Sequence, residues 1–206
     1  MNNERGFTLA EMLVVCAIVG LVMAGLLGLV MAGQQAFWFG TTQVDAQQNV
    51  RVALERMVKE IREAGYHPRI PNTNPSTCAA PPCYSFDAIG TGASSSSLTL
   101  QYDWSGDGTS AASGTVTDPI LGTSRGERVT YSYSGSTLTR QEIGVDGSTV
   151  TIATGLTGLA FSYFADDGTA TTAPASIRTV AVTVTAQTAS KGAYVTMSDR
   201  VRLRNR

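Results

Sequence analysis

"RGFTLAEMLVVCAIVGLVMAGLLGLVMAGQQAFWFGTTQV", residues 5–44, decides the reading of this chain. It opens on a basic residue, places one carboxylate at Glu11, and carries no charge from Met12 to Val44. Met12 to Gly33 is almost wholly apolar. About 20 apolar residues in a helix cross a hydrocarbon core of about 30 Å, whereas a secretory leader has an apolar stretch of roughly 7 to 15 residues. The run therefore predicts a membrane-spanning helix. Val30-Met31-Ala32 is a small-residue pattern that a signal peptidase accepts, so a cleaved leader stands as one alternative and a plain single-pass anchor as another,. Glu11 is the anomaly. A lone carboxylate in lipid is costly, and the expectation is that Glu11 has no partner within its own chain.

Downstream, "DAQQNVRVALERMVKEIREAGYHP", residues 45–68, continues the helix. Val50, Leu54, Met57, Val58, Ile61 and Gly65 recur at i, i+3, i+4 spacing and predict a core-facing stripe,. Arg51, Glu55, Arg56, Lys59, Glu60 and Glu63 read as the solvated face, laced by i, i+4 pairs,. No proline occurs before Pro68, so one helix is expected from about Phe7 to Ala64, ending at Gly65,. Only its second half can pack on a domain of this chain; lipid or other subunits must cover the first. Gly20, Gly25, Gly28, Gly33 and Gly40 thin that exposed half and permit close helix approach,.

The remainder reads as short strands with turn punctuation, in segments 96–104, 127–143, 148–168, 176–188 and 194–205. Alternation dominates. Two period-2 runs flank Ser134-Gly135-Ser136, a hairpin signal, and Val180, Val182 and Val184 share one strand face,. These strands predict an antiparallel sheet with one buried face. The amphipathic helix is its natural cover, which gives an α+β fold: a long N-terminal transmembrane and amphipathic helix packed on an antiparallel β-sheet.

Composition narrows the function classes. The 206 residues carry a formal net charge of -1, which leaves room for one membrane helix and one ordinary globular domain and gives no sign of a nucleic-acid binder,. There is no phosphate-binding glycine loop, no nucleophile elbow, and only one histidine, His67, which precedes Pro68 and is assigned no role,. An enzyme is not expected. In "DWSGDG", residues 103–108, Asp103, Ser105 and Asp107 take the first, third and fifth positions of a calcium loop and Gly108 the sixth,. The twelfth position is Gly114, so the bidentate glutamate is missing, and Asp118 is the only nearby substitute. An Asp/Gly/Ser turn is the competing reading, and calcium is the one cofactor this sequence raises. Arg200, Arg202, Arg204 and Arg206 alternate with Val201, Leu203 and Asn205, placing the arginines on one strand face. That face is either a solvated edge that resists aggregation or, for Arg200, Arg202 and Arg204, a contact with an acidic partner subunit. Four charges would give DNA only weak, salt-sensitive binding.

The N-terminal residues carry a resemblance. Gly6-Phe7-Thr8-Leu9, with Glu11 fifth counting from Phe7 and an apolar helix beyond, resembles the start of a type IV prepilin. "RVALERMVKEIREAGY" and the ending "GLAFSYFADDG", a valine-rich strand and "SDRVRLRNR" are similar to larger minor pilins of the PilW class and to J-type pseudopilins. The resemblance implies cleavage by a prepilin peptidase between Gly6 and Phe7, N-methylation of Phe7, and pairing of Glu11 with the N-terminal amine at Phe7 of an adjacent subunit. Such ion pairs serve register more than stability. It divides the chain into a leader, residues 1–6; a helix, 7–66, with a membrane half 7–36 and an amphipathic half 37–66; a Pro/Ser-rich loop, 67–95; and a β domain, 96–206. The partners it implies are other minor pilins, the major pilin, an inner-membrane assembly platform and, before assembly, the bilayer. The implied location is a single pass of the inner membrane with the C-terminal domain in the periplasm, followed by a filament. In an exported domain, Cys78 and Cys83 of "NPSTCAAPPCY" are expected to form a disulfide,. Two cysteines alone make a poor zinc site, and Cys16, inside the apolar run, reads as a small hydrophobe. The tip-most subunit of such assemblies lacks the glutamate, so this chain is expected below it. The assembly is a type IV pilus or, alternatively, a type II secretion pseudopilus. A membrane-anchored periplasmic binding or adhesion domain is a third reading and predicts an uncut N-terminus.

Overall fold

A computed structural model describes residues 6–67, 86–105, 108–110, 115–117, 123–188 and 193–205. The chain divides into two compact units, Met1–Val44 and Asp45–Arg206. In the first unit the described chain is helical from Leu9, the start of α1, Leu9–Glu63. Every residue from Gly6 to Gly40 is exposed, and α1 is long and apolar enough to cross a membrane.

In the second unit α1 buries Val50, Ala53, Met57, Val58 and Ile61, with Leu54 partly covered beside them. These residues follow the 3.6-residue period of the stripe. The helix stops because Gly65 takes φ +76°, a left-handed conformation that ends helices at little cost to glycine,. The Gly65 N–H then donates to the Gln101 carbonyl at 2.8 Å, turning the chain toward the sheet.

Among the described residues nine strands follow: β1 (Ser97–Gln101), β2 (Thr115–Thr117), β3 (Ser124–Gly126), β4 (Arg128–Ser134), β5 (Thr137–Glu142), β6 (Val150–Ala153), β7 (Leu156–Phe164), β8 (Thr179–Gln187) and β9 (Tyr194–Arg202). They build three antiparallel sheets rather than the single sheet expected, in orders β1-β4-β5-β6, β2-β3 and β7-β8-β9. The segment 148–168 is divided between two of them. Gly155, at φ +72°, breaks the run after Ala153, so β6 closes the first sheet and β7 opens the last. The hairpin at Ser134-Gly135-Ser136 forms, with Ser134 opposite Thr137 and Gly135 at φ +63°.

One core joins the sheets and the second half of α1. Leu98, Leu100, Val129, Tyr131 and Leu138 come from the first sheet, and Phe161, Val180, Val182, Val184 and Val201 from the last. β8 alternates buried and half-buried along nearly its whole length, because it is the central strand of its sheet and only one face meets the core,. The sheets are tied by the Phe161 N–H on the Ser95 carbonyl, 2.9 Å, and by the Tyr163 hydroxyl on the carbonyls of Ser94 and Ser97. The fold is thus α+β, a long N-terminal helix against antiparallel sheets.

Candidate functional site

At the head of α1, Thr8 and Glu11 hold each other. The Thr8 N–H and the Thr8 hydroxyl both donate to Glu11 Oε2, each at 2.9 Å, and the Glu11 N–H donates to Thr8 Oγ1 at 3.3 Å. This is a reciprocal capping box, in which an N-cap threonine and a glutamate three residues on satisfy two of the N–H groups that a helix start leaves unpaired. The expectation that Glu11 has no partner within its own chain is therefore wrong. Thr-x-x-Glu ahead of an apolar run was the signal that would have shown it. One oxygen remains open: Oε1 accepts no hydrogen bond among the described residues. Gly6 and Phe7 lie ahead of the helix and are both exposed, Phe7 at 82%.

Residues 1–27 match the prokaryotic N-terminal methylation motif. The chain has a type IV prepilin-like N-terminus. The match takes in Gly6, Phe7, Thr8 and Glu11 together with the apolar run as far as Leu27, and residues 28–206 lie outside it. Among curated proteins none matches the chain. Within the matched segment, the helix keeps Cys16 as an exposed free thiol.

The other predicted residues are spread over the second unit. Asp103 is buried and its carboxylate is engaged locally: Oδ1 accepts from the Ser105 hydroxyl at 3.1 Å and Oδ2 from the Gly108 N–H at 2.9 Å. Glu127, also buried, receives the N–H groups of Trp104 and Ser105 on Oε1, each at 3.0 Å. Both carboxylates thus accept nearby backbone N–H groups, those of Trp104 and Ser105 on Glu127 and that of Gly108 on Asp103. Asp107 and Asp118 lie outside the described residues, as do Cys78 and Cys83. Arg200 and Arg202 project from the same face of β9 and are engaged within their own unit. The Arg200 guanidinium lies 4.0 Å from the centre of the Phe164 ring, and Arg202 pairs with Asp166 at 2.7 Å. Arg204, beyond the strand, lines an open groove with Lys59, Arg62, Tyr66 and Arg125.

One cluster of side chains was read wrongly from sequence. Glu60, assigned to the solvated face of α1, turns toward the first sheet. Its two oxygens each lie 3.1 Å from Arg140 Nε, and Oε2 also accepts from the Tyr131 hydroxyl at 2.8 Å. Arg140 further binds Glu142 at 2.8 Å and Asp146 at 3.3 Å, with only 9% of its side chain exposed. Burial disfavours the Arg140 charge, but the bond to Glu142 and the charge of Glu60 outweigh it and raise its pKa,. Burial and the neighbouring Glu60 carboxylate push the Tyr102 and Tyr131 hydroxyls up, and burial alone does so for Tyr163. The arrangement is a structural tie between helix and sheet. Among the described residues no group of three or more histidine, cysteine or carboxylate side chains is placed to hold a metal ion.

Proposed function

We propose that the chain is a minor pilin of a type IV filament, acting by assembly. It inserts by α1, loses residues 1–6 to a prepilin peptidase, is methylated at Phe7, and packs helix to helix with other minor pilins and the major pilin to begin a filament on the inner-membrane assembly platform. The observation that carries this reading is the exposed Thr8–Glu11 box at the head of a helix whose apolar first half is exposed as far as Gly40. Glu11 Oε2 serves the helix cap, Oε1 accepts no hydrogen bond among the described residues, and the carboxylate keeps a charge that the cap alone does not neutralise. A new N-terminal ammonium on an adjacent subunit supplies the missing cation, and the pair that forms fixes register between subunits. The motif match supports the processing steps and a structural rather than enzymatic role. Because the glutamate is present, the proposed position is below the tip-most subunit. In the exported domain Cys78 and Cys83 are proposed to be bonded.

Intact mass of the protein isolated from membranes tests the core of this reading. A chain beginning at Phe7 and carrying one methyl group is expected; a chain that keeps Met1, or begins near Gly33, overturns it. Deletion then separates the assemblies, since loss of surface pili with secretion intact identifies a pilus component and the converse identifies a pseudopilin.

A further inference from the structure

Phe37, Trp38 and Phe39 are consecutive on α1 and all exposed, at 68%, 67% and 44%. At 3.6 residues per turn, neighbouring residues differ by about 100° around the helix, so three in a row sweep about 200° of its circumference. Such an arrangement is a collar. A stripe at i, i+3, i+4 fits one protein partner along one face, whereas consecutive aromatics do not share a face. A collar fits a medium that surrounds the helix.

Its height identifies the medium. From Glu11 to Trp38 the helix advances 27 residues, about 40 Å at ~1.5 Å per residue. That is the thickness of a bilayer with its headgroup regions, roughly 40 to 45 Å. No charged residue lies between these levels, and the next charge is Asp45. Gln34 and Gln35 come one turn before the collar, just beyond the ~30 Å that the hydrocarbon core occupies,. On the far side, the Thr41 hydroxyl donates to the carbonyls of Phe37 and Trp38, and the Thr42 hydroxyl to those of Trp38 and Phe39, at 2.9 to 3.2 Å. Hydroxyls satisfied within the helix are compatible with a partly dehydrated surrounding.

We infer that Phe37, Trp38 and Phe39 form an interfacial anchor that sits among the lipid headgroups of the leaflet opposite the Thr8–Glu11 box and sets the depth of the subunit before assembly. Aromatic rings concentrate at that level of a bilayer, where an apolar body and a polar edge are both accommodated. This rests on the reading of α1 as membrane-spanning, and it adds which residues fix the depth and what they bind.

The test uses the full chain in dioleoylphosphatidylcholine vesicles that contain lipids brominated either near the headgroup or near the chain end. The Trp38 signal is the difference in emission between the native chain and Trp38→Phe, which removes the contribution of Trp104. A second chain, Met23→Trp in the Trp38→Phe background, reports the middle of the span. The expected result is that Trp38 emission is lost more with shallow bromines than with deep ones, and that Met23→Trp shows the reverse. If Met23→Trp is quenched by deep bromines but Trp38 is unquenched or quenched best by deep bromines, the anchor is overturned and the span stands. If neither bromine depth quenches Met23→Trp, the spanning reading and the anchor fall together.

Discussion

Glu60 of α1 and Arg140 of β5 meet through both carboxylate oxygens, each 3.1 Å from Nε, with 16% and 9% of their side chains exposed. A pair this well covered differs from the exposed Arg51–Glu55 pair on the same helix, whose side chains are 73% and 67% exposed. Removing one partner of a covered pair strands the other in a poorly hydrated place. Arg140→Met takes from Glu60, Glu142 and Asp146 the cation they share, leaving Glu60 only the more exposed Arg56 at 3.5 Å. It should lower unfolding free energy by about 3 to 5 kcal/mol, whereas Arg51→Met should cost no more than about 1 kcal/mol. Urea unfolding of the full chain in detergent micelles, followed by near-ultraviolet circular dichroism, measures both. Equal small losses would show that Arg140 is no tie at all.

Buried tyrosines set an alkaline limit. Tyr102, Tyr131 and Tyr163 have pKa values raised in the folded chain, chiefly by burial. Below the unfolded tyrosine value of about 10 both states keep the proton, and the stability is fully present. Above it the unfolded chain ionises first, so it holds fewer protons than the folded chain and stability falls as pH rises. Unfolding free energy should be level up to about pH 10 and decline beyond it, and Tyr131→Phe should make that decline shallower. A wild-type profile that stays flat to about pH 11 would contradict the burial of these hydroxyls.

Legibility followed the strength of local pattern. Val50, Met57, Val58 and Ile61 repeat at helical spacing, and all are buried. Val180, Val182 and Val184 alternate on one strand, and all are fully buried. Gly135 and Gly65 punctuated where a positive φ was needed. What failed was long-range. Glu60 lies 80 positions from Arg140, and nothing near it in sequence distinguishes it from Glu55 or Glu63 on the charged face. The division of β6 and β7 between two sheets depends on partners, β5 and β8, that a single segment does not reveal. The short pair β2 and β3 has only three residues per strand, too few for alternation to register.

Gly126 ends β3 where the chain passes under the turn after β5. A Cβ there would press on the Ile143 carbonyl oxygen and come within 2.9 Å of Glu142 Cγ. The Gly126 N–H donates to Glu142 Oε1 at 2.7 Å, so displacing this strand also disturbs the carboxylate that holds Arg140. Gly126→Ala should cost about 1 to 3 kcal/mol through overpacking. Gly147→Ala, whose Cβ would meet no atom within 4 Å, is the matched control and should leave the melting temperature nearly unchanged. If both variants melt alike, the close approach at Gly126 is not a constraint.

The decisive prediction separates two jobs of Glu11. As the third residue of the helix it caps the Thr8 N–H through Oε2 at 2.9 Å. As a charge it is proposed to pair with the terminal ammonium of an adjacent subunit. Glu11→Leu removes both jobs. It should still insert and still be cleaved after Gly6, because the apolar run only becomes more apolar and the core of the second unit is untouched. It should fail to enter filaments. Glu11→Gln removes only the charge, since glutamine also serves at this position of a capping box. On the ion-pair account Glu11→Gln fails as Glu11→Leu does, while Thr8→Val, which loses the threonine hydroxyl but keeps the carboxylate, still assembles. The measurements are co-purification with other pilins and filament number per cell, each set against the amount of cleaved subunit in the membrane. Should Glu11→Gln assemble as well as the native chain, the carboxylate is a helix cap and nothing more, and the register of the filament must be set elsewhere along α1.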